Sequence, residues 1–146
     1  MTTVQAVFDI AIHLMDAQHE ATGSTNTVDT KSYAHRTPPL LNSVLDQVYP
    51  YSDTYLAEGS KGQRLCCPKV QSLEDPLDLD EAICTNVLPY ALAGLLLTEE
   101  DPDRADFFWQ TYRENLFTLA SMGPAQEESV VDVYGIGNPH GQFSHW

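Results

Sequence analysis

The side chains with the most chemistry in them are the histidines, the cysteines and the carboxylates, and none of the three groups is spaced for a known reaction. The histidines are His13, His19, His35, His140 and His145, and no pair has the HExxH or another metal-ligand spacing. His13 falls on the polar side of a first helix, where a solvated imidazole is the default. His140 and His145 share the C-terminal segment with Asp132, but loop histidines with no partner to orient them make poor ligands. Cys66-Cys67-Pro68 lacks the CxxC spacing of redox and zinc motifs, and nothing beyond nearby Arg64 and Lys69 would hold a thiolate. The pair, and Cys84 near the start of a later helix, read as buried and inert. An odd cysteine count with a vicinal pair is not a disulfide framework.

The carboxylates cluster twice, at Glu74, Asp75, Asp78, Asp80 and Glu81, and at Glu99, Glu100, Asp101, Asp103 and Asp106. A calcium loop needs alternating ligands, a central glycine and a distal glutamate, and neither cluster has them. Both precede predicted helices, where the helix dipole favours negative charge by ~0.3–1 kcal/mol per group. The surplus, Glu74, Asp75, Asp78, Glu99, Glu100 and Asp103, is a candidate acidic surface. No GxSxG elbow, phosphate loop or GxGxxG is present; Gly135-Ile-Gly137 and Gly59-Ser-Lys-Gly62 read as turns. The sequence therefore predicts no catalytic residue, no cofactor and no metal, and not an enzyme.

The 146 residues suit one domain and one core. A formal charge of −14 excludes wrapping of nucleic acid, whose phosphates are held by Lys and Arg, and disfavours anionic membrane surfaces. No apolar run approaches the ~20 residues of a spanning helix, and no signal peptide opens the chain, so a soluble protein made in the cytoplasm is expected.

The elements around these residues are helical. Val4, Val7, Phe8, Ala11, Ile12 and Met15 mark one stripe of a helix from Thr3 to about Gln18, with Thr2 or Thr3 as cap. Asp29 or Thr30 starts a second helix that runs to Tyr49. Pro38-Pro39 must kink it, or restart it with Thr37 as cap and Pro38 at the first position. A long irregular stretch, Tyr51 to Leu79, follows; it admits a small β-hairpin over Arg64–Cys67 and Lys69–Leu73. Asp78-Leu-Asp-Glu81 resembles a capping box for a third helix to about Thr98, bent at Pro89. Asp101-Pro102 opens a fourth, with Ala105, Phe108, Trp109, Tyr112, Leu116 and Leu119 at helical spacing, antiparallel to the third. Its aromatics go round much of the helix, which leaves Phe107 and Phe117 as candidate subunit contacts. The expected fold is mainly α: a four-helix bundle-like domain over 1–123 and an extended C-terminal tail over 124–146. That tail carries Val130, Val131, Val133, Tyr134, Ile136, Phe143 and Trp146 on a Gly- and Pro-rich chain without Lys or Arg. So many large apolar groups need a surface to lie on, on this subunit or on a neighbour.

Four stretches carry a family resemblance: Thr3-Val-Gln-Ala-Val-Phe-Asp-Ile-Ala-Ile-His-Leu-Met-Asp16, Leu40-Leu-Asn-Ser-Val-Leu-Asp-Gln-Val-Tyr-Pro-Tyr-Ser-Asp53, Val87-Leu-Pro-Tyr-Ala-Leu-Ala-Gly-Leu-Leu-Leu97, and the aromatic helix from Ala105 to Leu119. Together they resemble the head-to-tail connector (neck adaptor) proteins of tailed phages and phage-like particles of Gram-positive bacteria. Pro38-Pro39 and the tail after Gly123 have no counterpart in that pattern. The resemblance implies a virion protein: a homo-oligomeric ring, usually dodecameric, under the portal protein. Such a ring joins the portal to the stopper or tail terminator, with DNA passing through its channel unbound and no membrane involved. It also implies that Val130 to Trp146 reach onto the portal and that acidic walls keep DNA from sticking. A different class, a small acidic monomeric binding or regulatory protein that mimics DNA charge, fits the composition as well.

Overall fold

A computed structural model describes residues 2–53, 55 and 66–121. The fold is mainly helical. The helices are α1 (Val4–Leu14), α2 (Lys31–Val48) with a 3-10 turn at Tyr49–Tyr51, α3 (Glu81–Asn86), α4 (Leu88–Leu97) and α5 (Pro102–Ser121). The only β-pairing among the described residues is an isolated antiparallel bridge, Thr3 with Pro76. Residues 66–73 form no strand, so the hairpin offered for this region is not formed there; Arg64 lies outside the described residues.

Helix α4 is the central rod. Its sequence is apolar on every side, the signature of a helix enclosed by neighbours. It packs against α1, α2, α3 and α5, and only Tyr90 and Leu95 of its ten residues escape full burial. Gly94 permits the closest approach: a Cβ there would stand 3.2 Å from the Ala105 carbonyl oxygen and 3.4 Å from the Trp109 nitrogen. The glycine thus lets α4 and α5 lie backbone against backbone.

Helix α1 buries the predicted stripe, with Val4, Val7, Phe8, Ala11 and Ile12 inaccessible to solvent. Helix starts leave amide donors without partners, and here the chain itself supplies them. Val4 N donates to the Asp75 carbonyl (3.0 Å), Gln5 N to the Leu73 carbonyl (2.7 Å) and Ala6 N to Thr3 Oγ1 (3.4 Å). Leu77 N returns a bond to the Thr2 carbonyl at 2.8 Å. The irregular stretch is held to the core at Cys67, Val70 and Leu77, all buried. Asn42 of α2 brackets Val70, donating from Nδ2 to its carbonyl (2.7 Å) and accepting its amide at Oδ1 (2.9 Å).

Two predicted helices differ in part from expectation. Of the two courses open to α2 at its prolines, a kink or a restart, the restart is not taken; it is one helix through Pro38 and Pro39. Thr37 does not cap: its buried hydroxyl turns back and donates to the Tyr33 carbonyl at 2.7 Å. The third helix breaks into α3 and α4 at Val87, two residues before Pro89, because proline gives no amide to the preceding turn and its ring collides with the carbonyl four residues back. The carbonyl of Asn86 at the break is taken by Asn115 Nδ2 of α5 at 2.7 Å. Nor is the capping box formed. Asp80 occupies the cap position of α3, yet its carboxylate accepts from Asp53 N at 3.0 Å across the fold.

Candidate interaction surface

Helix α5 begins where the sequence says it should. Asp101 Oδ1 accepts from Arg104 N (3.3 Å), and Pro102 takes the first position. One narrow seam of this helix is buried, at Ala105, Phe108 and Tyr112. At about 100° per residue, the opposite side is Asp103, Phe107, Gln110, Glu114 and Phe117. All five are exposed, and Phe107 and Phe117 are 63% and 70% accessible. Phe107 leans edge-on against Phe108 at 5.7 Å between centroids, so it is held, but its outer face is bare. Both residues singled out as subunit contacts therefore point away from their own core.

Grooves flank the last turns of α5. One, about 310 Å³, is lined by Gln47, Tyr51, Trp109, Arg113, Leu116 and Phe117. The other, about 290 Å³, is lined by Ala82, Asn86, Val87, Tyr90, Asn115, Thr118 and Leu119. Beside the first, a part-buried contact joins the helices, Tyr112 Oη donating to Gln47 Oε1 at 3.0 Å. Burial pushes the Tyr112 phenol above its ordinary value.

Two of the scarce cations are engaged at helix ends. Arg36 of α2 donates to the Leu96 carbonyl (3.2 Å) near the end of α4, and Arg104 of α5 donates to the Leu14 carbonyl (3.2 Å) at the end of α1. Both sites carry the partial negative charge of a helix C-terminus. Each guanidinium also lies 5.6 Å from an aromatic centroid, Tyr33 for Arg36 and Phe108 for Arg104. Lys69 pairs with Asp46 at 2.7 Å.

The proposed acidic surface divides. Asp75 is a scaffold residue whose carboxylate accepts Gln71 N (2.7 Å), Ser72 N (3.1 Å) and Ser72 Oγ (3.0 Å). The two amide donors, with the serine hydroxyl, hold its pKa below the usual carboxylate range. Glu74 and Asp78 beside it are exposed. Glu99, Glu100 and Asp103 are exposed around the α4–α5 turn, and Glu100 accepts the Tyr33 hydroxyl. The first group sits at the start of α1 and the second by its end, where Arg104 reaches Leu14, so roughly 16 Å of helix separates them. Asp80, from the same run, has a raised pKa: burial is the main cause, the Asp53 and Asp78 charges add to it, and the Asp53 amide opposes it.

Burial pushes both the Cys67 and the Cys84 thiols up to about 11. Cys66 is exposed, against the expectation that the pair is buried. Outside a helix, adjacent side chains diverge, and with Cys67 in the core its neighbour faces out. His13, His19 and His35 are exposed. Among the described residues, no group of three or more His, Cys, Asp or Glu is placed to hold a metal ion. No described helix is long and apolar enough to cross a membrane. Val130, Val131, Val133, Tyr134, Ile136, Phe143 and Trp146 lie outside the described residues, as do His140 and His145.

The sequence reading missed the Arg113 groove and the helix-end roles of Arg36 and Arg104. The contacts behind them join residues 60 to 90 apart in the chain, where local spacing carries no signal. Asp75 had a signal: Ser72 and Asp75 stand three apart, the interval of a local side-chain-to-backbone turn. The chain matches no family model, no curated protein and no solved structure.

Proposed function

We propose that this chain is a structural subunit that works by assembly, a head-to-tail adaptor of a phage or phage-like neck. In that reading it forms a ring under a portal protein and joins it to a stopper or tail terminator, in the virion, around a channel through which DNA passes. The observation that carries the assembly part is the outer side of α5. A helix whose seam already fills a finished core presents two bare phenylalanines to water. Exposed aromatics of this kind are what interfaces use as anchors. The neck placement rests on the resemblance of the four helical stretches and on their order along the chain. Val130 to Trp146 supply the apolar extension that would reach the portal.

Negative-stain imaging of the protein alone, and mixed with a phage portal protein, tests the reading. Rings on their own or on the portal support it. Deleting residues from Ala125 onward should weaken portal binding while leaving the helical circular dichroism intact, and unchanged binding would remove the tail from the account.

The second reading, a monomeric acidic protein that mimics DNA charge, is favoured by one observation. Arg36, Arg104 and Lys69 are engaged within the fold, while Glu99, Glu100 and Asp103 are exposed around the α4–α5 turn. It predicts a monomer that competes with DNA for basic proteins and does not enter a ring when portal is added.

A further inference from the structure

We propose that the outward side of α5 is a docking face for a basic amphipathic helix of another protein. The inference rests on reading this face as an assembly surface, and assigns it to a partner protein rather than to a second copy.

Three observations carry it. First, Phe107 and Phe117 are exposed on that side and stand ten residues apart, so roughly 15 Å separates them along the helix. A partner helix laid alongside would meet them with apolar residues about three turns apart, the spacing such helices offer. Second, the side chains between and beside the two rings are Asp103, Gln110 and Glu114. Of the arginines of α5, Arg104 is turned to the Leu14 carbonyl and the Phe108 ring, and Arg113 lines the flanking groove at the edge of the face, beside Phe117. The face therefore combines aromatic anchors with two carboxylates and a single cation at its rim, a surplus of negative charge. Third, that charge selects among occupants. A second copy laid parallel on this face would set Asp103 and Glu114 against the same carboxylates, and like charges across an interface cost several kcal/mol; one laid antiparallel with its rings matched would set Glu114 against Gln110 and gain no opposite charge. Nucleic acid and anionic lipid are repelled for the same reason. Lysines or arginines flanking two apolar anchors complement it.

The test uses the full chain and a fluorescently labelled helical peptide of Leu and Lys with its apolar side along one face. A peptide of the same pattern with Glu for Lys is the control. Fluorescence anisotropy at low salt should show binding of the Lys peptide only, weakening as salt rises. Phe107→Ser with Phe117→Ser should weaken it at least tenfold, and Asp103→Lys with Glu114→Lys should abolish it. All four positions are exposed, so circular dichroism should not change. Equal binding of both peptides, or indifference to the Phe pair, overturns the proposal. A dimer in sedimentation that disappears in Phe107→Ser assigns the face to a second copy and also overturns it. If Val131→Ser with Val133→Ser and Tyr134→Ser raises the peptide's affinity tenfold, the chain's own C-terminal segment is the occupant and the proposal again falls. Rings without peptide binding leave the assembly reading standing and remove this one; peptide binding without rings does the reverse.

Discussion

Helices α1 and α5 both follow the same apolar period, yet they have opposite standing in the molecule. Helix α1 is short and enclosed. Five of its 11 residues are buried, its first amides are held by the Asp75 and Leu73 carbonyls, and its last turn receives Arg104. Helix α5 is almost twice as long and buries three of its 20 residues along one seam. The difference separates two uses of hydrophobic surface. In α1 the five residues of the apolar stripe are all satisfied within the fold, and Ile10 and Leu14 at its edges stay partly accessible. In α5 a minority anchor the helix, and the rest face solvent or line grooves.

The largest expected effect tests that contrast. Phe8→Ala removes a fully buried ring and should cost about 3–5 kcal/mol, read as a lower urea midpoint. Phe107→Ser on α5 should stay within about 0.5 kcal/mol, as surface changes away from special features do. Comparable losses at the two sites would mean that Phe107 belongs to the core and would break the contrast.

A smaller effect sharpens it. The seam of α5 is close because Gly94 has no side chain. Gly94→Val would press methyl groups on the Ala105 carbonyl and the Trp109 amide, backbone atoms that cannot swing aside. A loss of about 1–3 kcal/mol is expected from overpacking. The grooves beside α5 should alter with it, so emission from Trp109 should shift in Phe8-intact protein well below the unfolding midpoint. In a Trp146→Phe background Trp109 is the sole tryptophan and reports alone. An unshifted spectrum with full stability would show that the two helices slide apart freely.

How much of this was legible beforehand depended on the range of the interaction. The stripe of α1, the mainly helical fold, the Asp101-Pro102 start of α5 and the exposure of Phe107 and Phe117 follow from spacing within a few residues, and the structure has them. The break at Val87 was displaced by two residues from the bend expected at Pro89, because proline acts on the turn before it. Continuity of α2 through Pro38-Pro39 is one of two courses that local spacing leaves open. Proline propensity disfavours it, while Leu41, Val44, Leu45 and Val48 bury the same helix on the core. The clamp on α1 was equally invisible, since it is made by backbone carbonyls, which every residue possesses. Cys66 differs for a simpler reason: adjacency suggests one environment for both cysteines, and on a non-helical chain neighbouring side chains face opposite ways.

The smallest effects concern the polar segment around α1, where two carboxylates should respond to pH with opposite sign. Asp75 has its pKa lowered by the Gln71 and Ser72 amides and by the Ser72 hydroxyl. Its stabilising contribution is present above the unfolded value of about 3.9 and is lost as pH falls through the folded value. Asp80 has its pKa raised, chiefly by burial. Between its unfolded and folded values the native state holds more proton than the unfolded chain, so stability declines as pH rises through that window. Urea midpoints between pH 2.5 and 7 should separate them. Asp75→Asn should flatten the acid limb and lower stability at neutral pH. Asp80→Asn keeps an oxygen for the Asp53 amide without the charge, so it should remove the decline above pH 4 and leave the acid limb alone. Parallel pH profiles for the two variants would contradict both assignments. The Asp75 result bears on the contrast between the helices, because the segment that Asp75 shapes is the one that closes the start of α1, and α5 has no such closure at its far end among the described residues.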